Sequence, residues 1–161
     1  MDDLGALAAS LVIAAEGLRL RVYDDATGRP IGPDATLRGH PTIGYGRALD
    51  RQGITVAEAR TLLDNDLAML TRQVPSIVGA EAWPELGAAR QAALVDMAYQ
   101  VGPEGLARFA EMLAALRASD WTAAHAAALK SAWARQAPAR ARRNALILMT
   151  GALPPDLRKP D

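Results

Sequence analysis

The sequence contains no cysteine, so neither disulfides nor thiolate metal sites can support its fold. It has only two histidines, His40 and His125, and neither lies at a His-x(3)-His or His-Glu-x-x-His spacing. That pattern argues against a transition-metal site, and no cofactor is expected. Net charge is also missing: eighteen basic and eighteen acidic side chains cancel, which argues against a protein that coats nucleic acid. No uninterrupted apolar run reaches the ~18 residues of a bilayer span. Met1-Asp2-Asp3 lacks the positive region of a secretion signal, so the chain reads as mature protein. There is no G-x-S-x-G elbow for a serine nucleophile and no phosphate-loop or dinucleotide signature.

What is present is apolar and unevenly charged. Half of the 161 residues are hydrophobic, enough for a sizeable core in a single domain spanning 1–161. The last 32 residues carry 7 basic and 2 acidic groups, concentrating positive charge at the C-terminus. Leu4, Leu7, Leu11, Val12 and Ala15 fall at helical spacing, with Asp2 or Asp3 as N-cap and Gly17 as the stop. From Leu18 to about Asp50, Gly and Pro are too dense for a helix interior. Leu20–Tyr23 and Thr42–Tyr45 are the credible strands, forming a small antiparallel sheet.

From Thr55 onward the pattern is helical. Thr55-Val56-Ala57-Glu58 has the form of a capping box, and its helix runs to a stop near Pro75. Further helices are expected over Ala88–Val101, Arg108–Ala118, Thr122–Lys130 and Ala139–Met149, with Pro138 in a first turn and Gly151 as C-cap. The fold class is therefore α+β: a helical part covering 1–16 and 55–151, a small β lobe over 18–50, and a tail over 152–161.

With metals, thiols and serine nucleophiles set aside, carboxylates remain. Glu16 ends an apolar helix beside a glycine, where the helix dipole disfavours an anion. A half-buried carboxyl that stays protonated is what a general acid requires. Asp24-Asp25 opens the glycine-rich turn and Thr42 begins the second strand, so an acid, a carboxylate and a hydroxyl can surround one cleft. Two carboxyls flanking a bond, with a water held by the second, is the chemistry of glycoside hydrolysis. His125 reads as a packing or surface residue, whereas His40, beside the turn-rich island, is better placed to touch a ligand.

Glu16-Gly17-Leu18-Arg19-Leu20-Arg21-Val22-Tyr23-Asp24-Asp25, followed by Thr42-Ile43-Gly44-Tyr45-Gly46, resembles the phage-type lysozymes of glycoside hydrolase family 24. The likeness continues in Asp96-Met97-Ala98-Tyr99-Gln100-Val101-Gly102, in Trp121 and Trp133, and in Gln136-Ala137-Pro138-Ala139-Arg140-Ala141-Arg142-Arg143. The resemblance implies a lysozyme-like two-lobed fold and cleavage of the β-1,4 bond between N-acetylmuramic acid and N-acetylglucosamine in bacterial peptidoglycan. It implies Glu16 as general acid, Asp25 acting on the attacking water or stabilising the transition state, and Thr42 holding that water, with inversion at the anomeric carbon. Tyr99, Ala48, Met112 and Ala127 would line the saccharide cleft. Arg140 would pair with Glu16, and Arg47 with Asp66. Trp121 and Trp133 are expected in the core.

The resemblance also implies a monomer without metal that accumulates in the host cytoplasm. It would act on the wall from the periplasm, once a holin permeabilises the inner membrane. The departure from the family is the turn: sixteen residues, 26–41, separate Asp25 from Thr42. An extended hairpin or surface loop is expected there, bearing on substrate access or peptide-stem contacts, and it leaves Asp24 and Asp34 as alternative carboxylates. Two other readings stand beside the hydrolase. One is a catalytically silent peptidoglycan-binding module; the other is membrane disruption by the basic C-terminal helix carrying Arg140, Arg143, Leu146, Ile147 and Met149.

Overall fold

The computed structural model describes residues 3–157. Its elements run α1 (Asp3–Glu16), β1 (Arg19–Asp24), β2 (Pro41–Gly44), β3 (Arg47–Ala48), α2 (Leu49–Gln52) and α3 (Val56–Val78). Then follow α4 (Ala82–Glu85), α5 (Gly87–Ala107), α6 (Ala110–Arg117), α7 (Trp121–Lys130), α8 (Ala132–Gln136) and α9 (Pro138–Thr150). The class is α+β. The chain forms two compact units, residues 1–60 and 61–161.

The first unit is built around an antiparallel sheet of order β1-β2-β3. Tyr23 and Asp24 of β1 face Thr42 and Pro41 of β2, while Thr42 also faces Ala48 of β3. On its other edge β1 is joined by the start of the long turn. Tyr23 bridges Pro30, Asp24 N–H donates to the Arg29 carbonyl at 2.9 Å, and Ile31 N–H to the Val22 carbonyl at 3.2 Å. Proline is tolerated at such an edge because no neighbour there needs its missing N–H. The expected extended hairpin is thus present over residues 22–31, and residues 32–38 are exposed loop.

All the buried apolar side chains among the described residues lie between Leu70 and Leu148, in the second unit. Leu94, Met97, Leu106, Leu116 and Leu148 are at most 1% exposed there. Trp133 is buried, packs edge-on against Phe109 at 6.0 Å, and donates its indole N–H to Gln100 at 2.9 Å. Trp121 packs against the same core and carries the Arg90 guanidinium over its ring at 3.9 Å. Both tryptophans hold the packing positions expected of them. α9 buries Ala141, Ala145, Ile147 and Leu148 in this core. Of the apolar residues on which a membrane role was read, Ile147 is thus committed to the protein, while Leu146 and Met149 are exposed. No described helix is long and apolar enough to cross one.

Two expectations are corrected. Pro75 does not stop α3; the helix continues to Val78, because Val74 and Val78 are completely buried and outweigh one missing hydrogen bond near the helix end. Glu16 is solvent-exposed and not half-buried, as is most of α1, including Leu4, Leu7 and Leu11. Among the described residues of the first unit no apolar side chain is buried. Of the N-cap residues proposed for it, Asp2 and the side chain of Asp3 lie outside what the structure describes.

Candidate active site

Glu16 is the last residue of α1, and Gly17, at φ 68°, turns the chain into β1. Its carboxyl lies against the β2–β3 turn. A Cβ placed on Gly46 would come 2.8 Å from Glu16 Oε2 and 3.1 Å from its carboxyl carbon. Gly46 also has φ 77°, so it is required both for the turn and for the approach of the acid.

Asp25 follows β1 at its far end, and a second glycine admits it. A Cβ on Gly39 would fall 2.0 Å from Asp25 Oδ1 and 2.8 Å from the Ala26 backbone nitrogen. With that space open, Asp25 Oδ1 accepts the His40 backbone N–H at 2.7 Å. The Asp25 N–H in turn donates to the His40 carbonyl at 3.1 Å. The same carbonyl accepts the Thr42 hydroxyl at 3.1 Å. Asp25 and Thr42 are therefore brought together through one backbone residue, His40. Thr42 is 2% exposed and has spent its only hydroxyl proton on this bond, so towards a water it can act only as an acceptor.

Asp24 does different work. It is 5% exposed, and its carboxylate accepts the backbone N–H groups of Ala26 at 3.0 Å, Arg38 at 2.8 Å and Gly39 at 3.1 Å. The N–H of Arg38, opposed by desolvation and aided by those of Ala26 and Gly39, holds its carboxyl below the usual 3.8. One buried carboxylate thus clamps both ends of the long turn, with three backbone N–H donors on its two oxygens. Asp34 sits in an exposed turn of the loop. The loop encloses an open cavity of about 600 Å³ with Arg29 and Arg38 among its lining.

The remaining residues implied by resemblance fall in several places. Ala48 is on β3 opposite Thr42. Arg47 pairs with Glu58 of its own unit at 2.7 Å and donates Nε–H to the Gly53 carbonyl at 2.8 Å. Glu58 is in place for this because the capping box holds it, with Thr55 N–H donating at 2.7 Å and Glu58 N–H returning to the Thr55 hydroxyl at 3.2 Å. The Thr55 N–H and hydroxyl, with Arg47 beside them, keep the Glu58 carboxyl below its usual 4.5 despite some desolvation. Asp66 is exposed on α3.

In the second unit Tyr99 lines a cavity of about 570 Å³ together with Trp83, Asp96 and Arg140. Arg140 is engaged there by Asp96 through Nε at 2.8 Å and Nη2 at 2.5 Å, with Asn144 adding a bond at 2.6 Å; the partner implied for it was Glu16. Desolvation pushes the Asp96 carboxyl up, but the bonds from Arg140 and Asn144 and the charges of Arg140 and Arg143 outweigh it, leaving the value below 3.8. Met112 and Ala127 border a different cavity, of about 630 Å³, and Met112 is 1% exposed, a core residue with little side chain to offer a saccharide. No group of three or more metal-ligating side chains occurs among the described residues.

Sequence reading missed the positioning groups: His40 as the hub, and Gly39 and Gly46 as the gaps that admit two carboxylates. The signal available was only two glycines in a turn-rich stretch.

Comparison with known proteins then decides the family, since the phage lysozyme family model matches residues 13–146. The chain belongs to the phage lysozyme family. It is 35% identical to the pre-baseplate central spike protein Gp5 of Enterobacteria phage T4, over 86% of this chain and 27% of that protein. The chain thus spans about a quarter of the length of that relative. It is 26% identical to probable T4-type lysozyme 1 of Dictyostelium discoideum, over 86% of this chain and 91% of the other. The matched region contains Glu16, Asp25, Thr42 and the turn over residues 26–41, within the family's lysozyme-like α+β fold.

Proposed function

We propose that this protein hydrolyses the β-1,4 bond between N-acetylmuramic acid and N-acetylglucosamine in peptidoglycan, with Glu16 as general acid, Asp25 as general base and Thr42 orienting the water. The observation that carries this reading is the Asp25–His40–Thr42 hydrogen-bond cluster, set across β1 from Glu16 in a chain of the phage lysozyme family. In the proposed step Glu16 gives its proton to the leaving oxygen as the glycosidic bond breaks. A water forms the new bond to the anomeric carbon and passes its proton to Asp25. The water's other proton points to Thr42 Oγ1, which leaves a lone pair free to attack. Glu16 is exposed in the free protein, and bound glycan supplies the exclusion of water that favours proton delivery.

By family resemblance inversion is expected, with the two carboxyls farther apart than the roughly 5 Å of retaining enzymes so that a water fits between them. The test is product analysis on purified peptidoglycan. Muropeptides with N-acetylmuramic acid at the reducing end, first formed as the α-anomer, are expected. N-acetylglucosamine reducing ends or an initial β-anomer overturn the bond assignment or the inversion respectively, and glycan binding without new reducing ends points to a silent module. By family analogy, the wall is reached after a holin opens the inner membrane, and the protein acts as a monomer.

A further inference from the structure

His40 enters the cluster through its backbone alone, yet its side chain is not idle. The imidazole Nδ1 lies 2.7 Å from Asp50 Oδ2, in the first turn of α2. A carboxylate only accepts, so Nδ1 carries the proton whether or not the ring is charged. The hydrogen bond from His40, opposed by desolvation and aided by the His40 charge, leaves the Asp50 carboxyl below 3.8, and it stays an acceptor. His40 is the last residue before Pro41, where the long turn rejoins β2. Its peptide groups face Asp25 and Thr42, and its ring is tied to a different element.

We propose that the His40–Asp50 pair is a positioning latch for the reaction: it fixes the peptide groups of His40, and through them the orientation of Asp25 and Thr42. The Asp24 clamp closes the turn between residues 26 and 38, so the loop beyond it is an excursion. That clamp stops at Gly39, which must stay small for Asp25 to pass. One residue later the His40 peptide is bonded to Asp25 itself, and the His40 ring adds a tie from that peptide to a separate element, α2. Asp50 supplies it from α2, which follows directly on β3 and so moves with the sheet. His40 and Asp50 touch no reacting atom; they act through the backbone.

The inference rests on the hydrolase reading for its kinetic consequence, but the latch itself has a readout independent of turnover. Asp50→Ala is expected to lower kcat on purified peptidoglycan by about tenfold with KM within about twofold of wild type. Asp50→Asn, whose amide oxygen still accepts from Nδ1–H, is expected to recover most of that loss. In parallel, hydrogen exchange at the His40 amide, which reports its bond to Asp25, is expected to accelerate about tenfold in Asp50→Ala. His40→Ala, which removes the ring and leaves the peptide, should reproduce the kcat loss. Unchanged kcat in Asp50→Ala, a change in KM alone, or no recovery in Asp50→Asn overturns the latch. Unchanged amide exchange overturns it even if the wild type releases no muropeptides, an outcome that by itself sinks only the hydrolase reading.

Discussion

Gly39 and Gly46 set the tolerance of the site more sharply than the charged residues they admit. A methyl group at Gly39 cannot coexist with Asp25 where it stands, 2.0 Å away, or with the Ala26 backbone. Gly39→Ala is expected to cut turnover about 100-fold, the scale of a misplaced catalytic group, as measured by reducing-end release. Gly46→Ala combines a φ of 77° with a contact of 2.8 Å to Glu16 Oε2, at the end of a flexible side chain. It should cost roughly 1–2 kcal/mol in urea unfolding and displace the acid as well. Asp24 adds a pH dependence of definite sign. Its folded value lies below 3.8, so its contribution to stability is complete above the unfolded value and is lost as pH falls through the folded one. Acid titration of stability should therefore steepen below about pH 4 in wild type. Asp24→Asn should be less stable at neutral pH and flatter in that window; identical acid profiles would exclude a role for Asp24 as clamp.

Elements with their own start and stop signals were legible in the sequence. Thr55–Glu58 forms the capping box it spells, and Thr55→Ala should destabilise by about 1 kcal/mol in thermal or denaturant unfolding. Pro138 sits in the first turn of α9, Gly151 closes it at φ 69°, and Gly102 kinks α5 at φ 75°. The short elements β3, α2, α4 and α8 were not legible: two to five residues hold too little period to separate from turn, and only their neighbours stabilise them. The extent of α3 past Pro75 was hidden for a related reason, since burial of Val74 and Val78 is a tertiary fact. Between α5 and α9, Asp96 gathers Arg140, Asn144 and, at 3.7 Å, Arg143. Asp96→Ala leaves those donors without their acceptor and should cost about 1.5–3 kcal/mol in urea unfolding at neutral pH, with less loss at low pH where the carboxyl is protonated anyway.

At the scale of the molecule, the apolar core and the residues proposed for the chemistry come from different stretches of the chain. The buried apolar side chains lie between Leu70 and Leu148, whereas Glu16, Asp25 and Thr42 all lie in the first 60 residues, held by hydrogen bonds around a small sheet. Leu94→Ala in the core should lower stability by about 2–5 kcal/mol while kcat measured well below the melting temperature changes little. Substitutions at Asp25 or Glu16 should do the reverse. Resemblance to a known family, more than the spacing of Glu16 and Asp25, pointed to the three groups proposed here for the chemistry. It could not name what orients them: His40 acts through peptide groups that every residue possesses, and Arg47 found Glu58 because a cap had already fixed that carboxylate in place. The most direct measurement compares reducing-end release from purified peptidoglycan by wild type and Glu16→Gln at matched, verified folding. Loss of the proton donor should slow the reaction by at least about 100-fold with an unchanged melting temperature. Equal rates for the two proteins would contradict the assignment of Glu16 as the acid and, with it, the account of how this site cleaves a sugar chain.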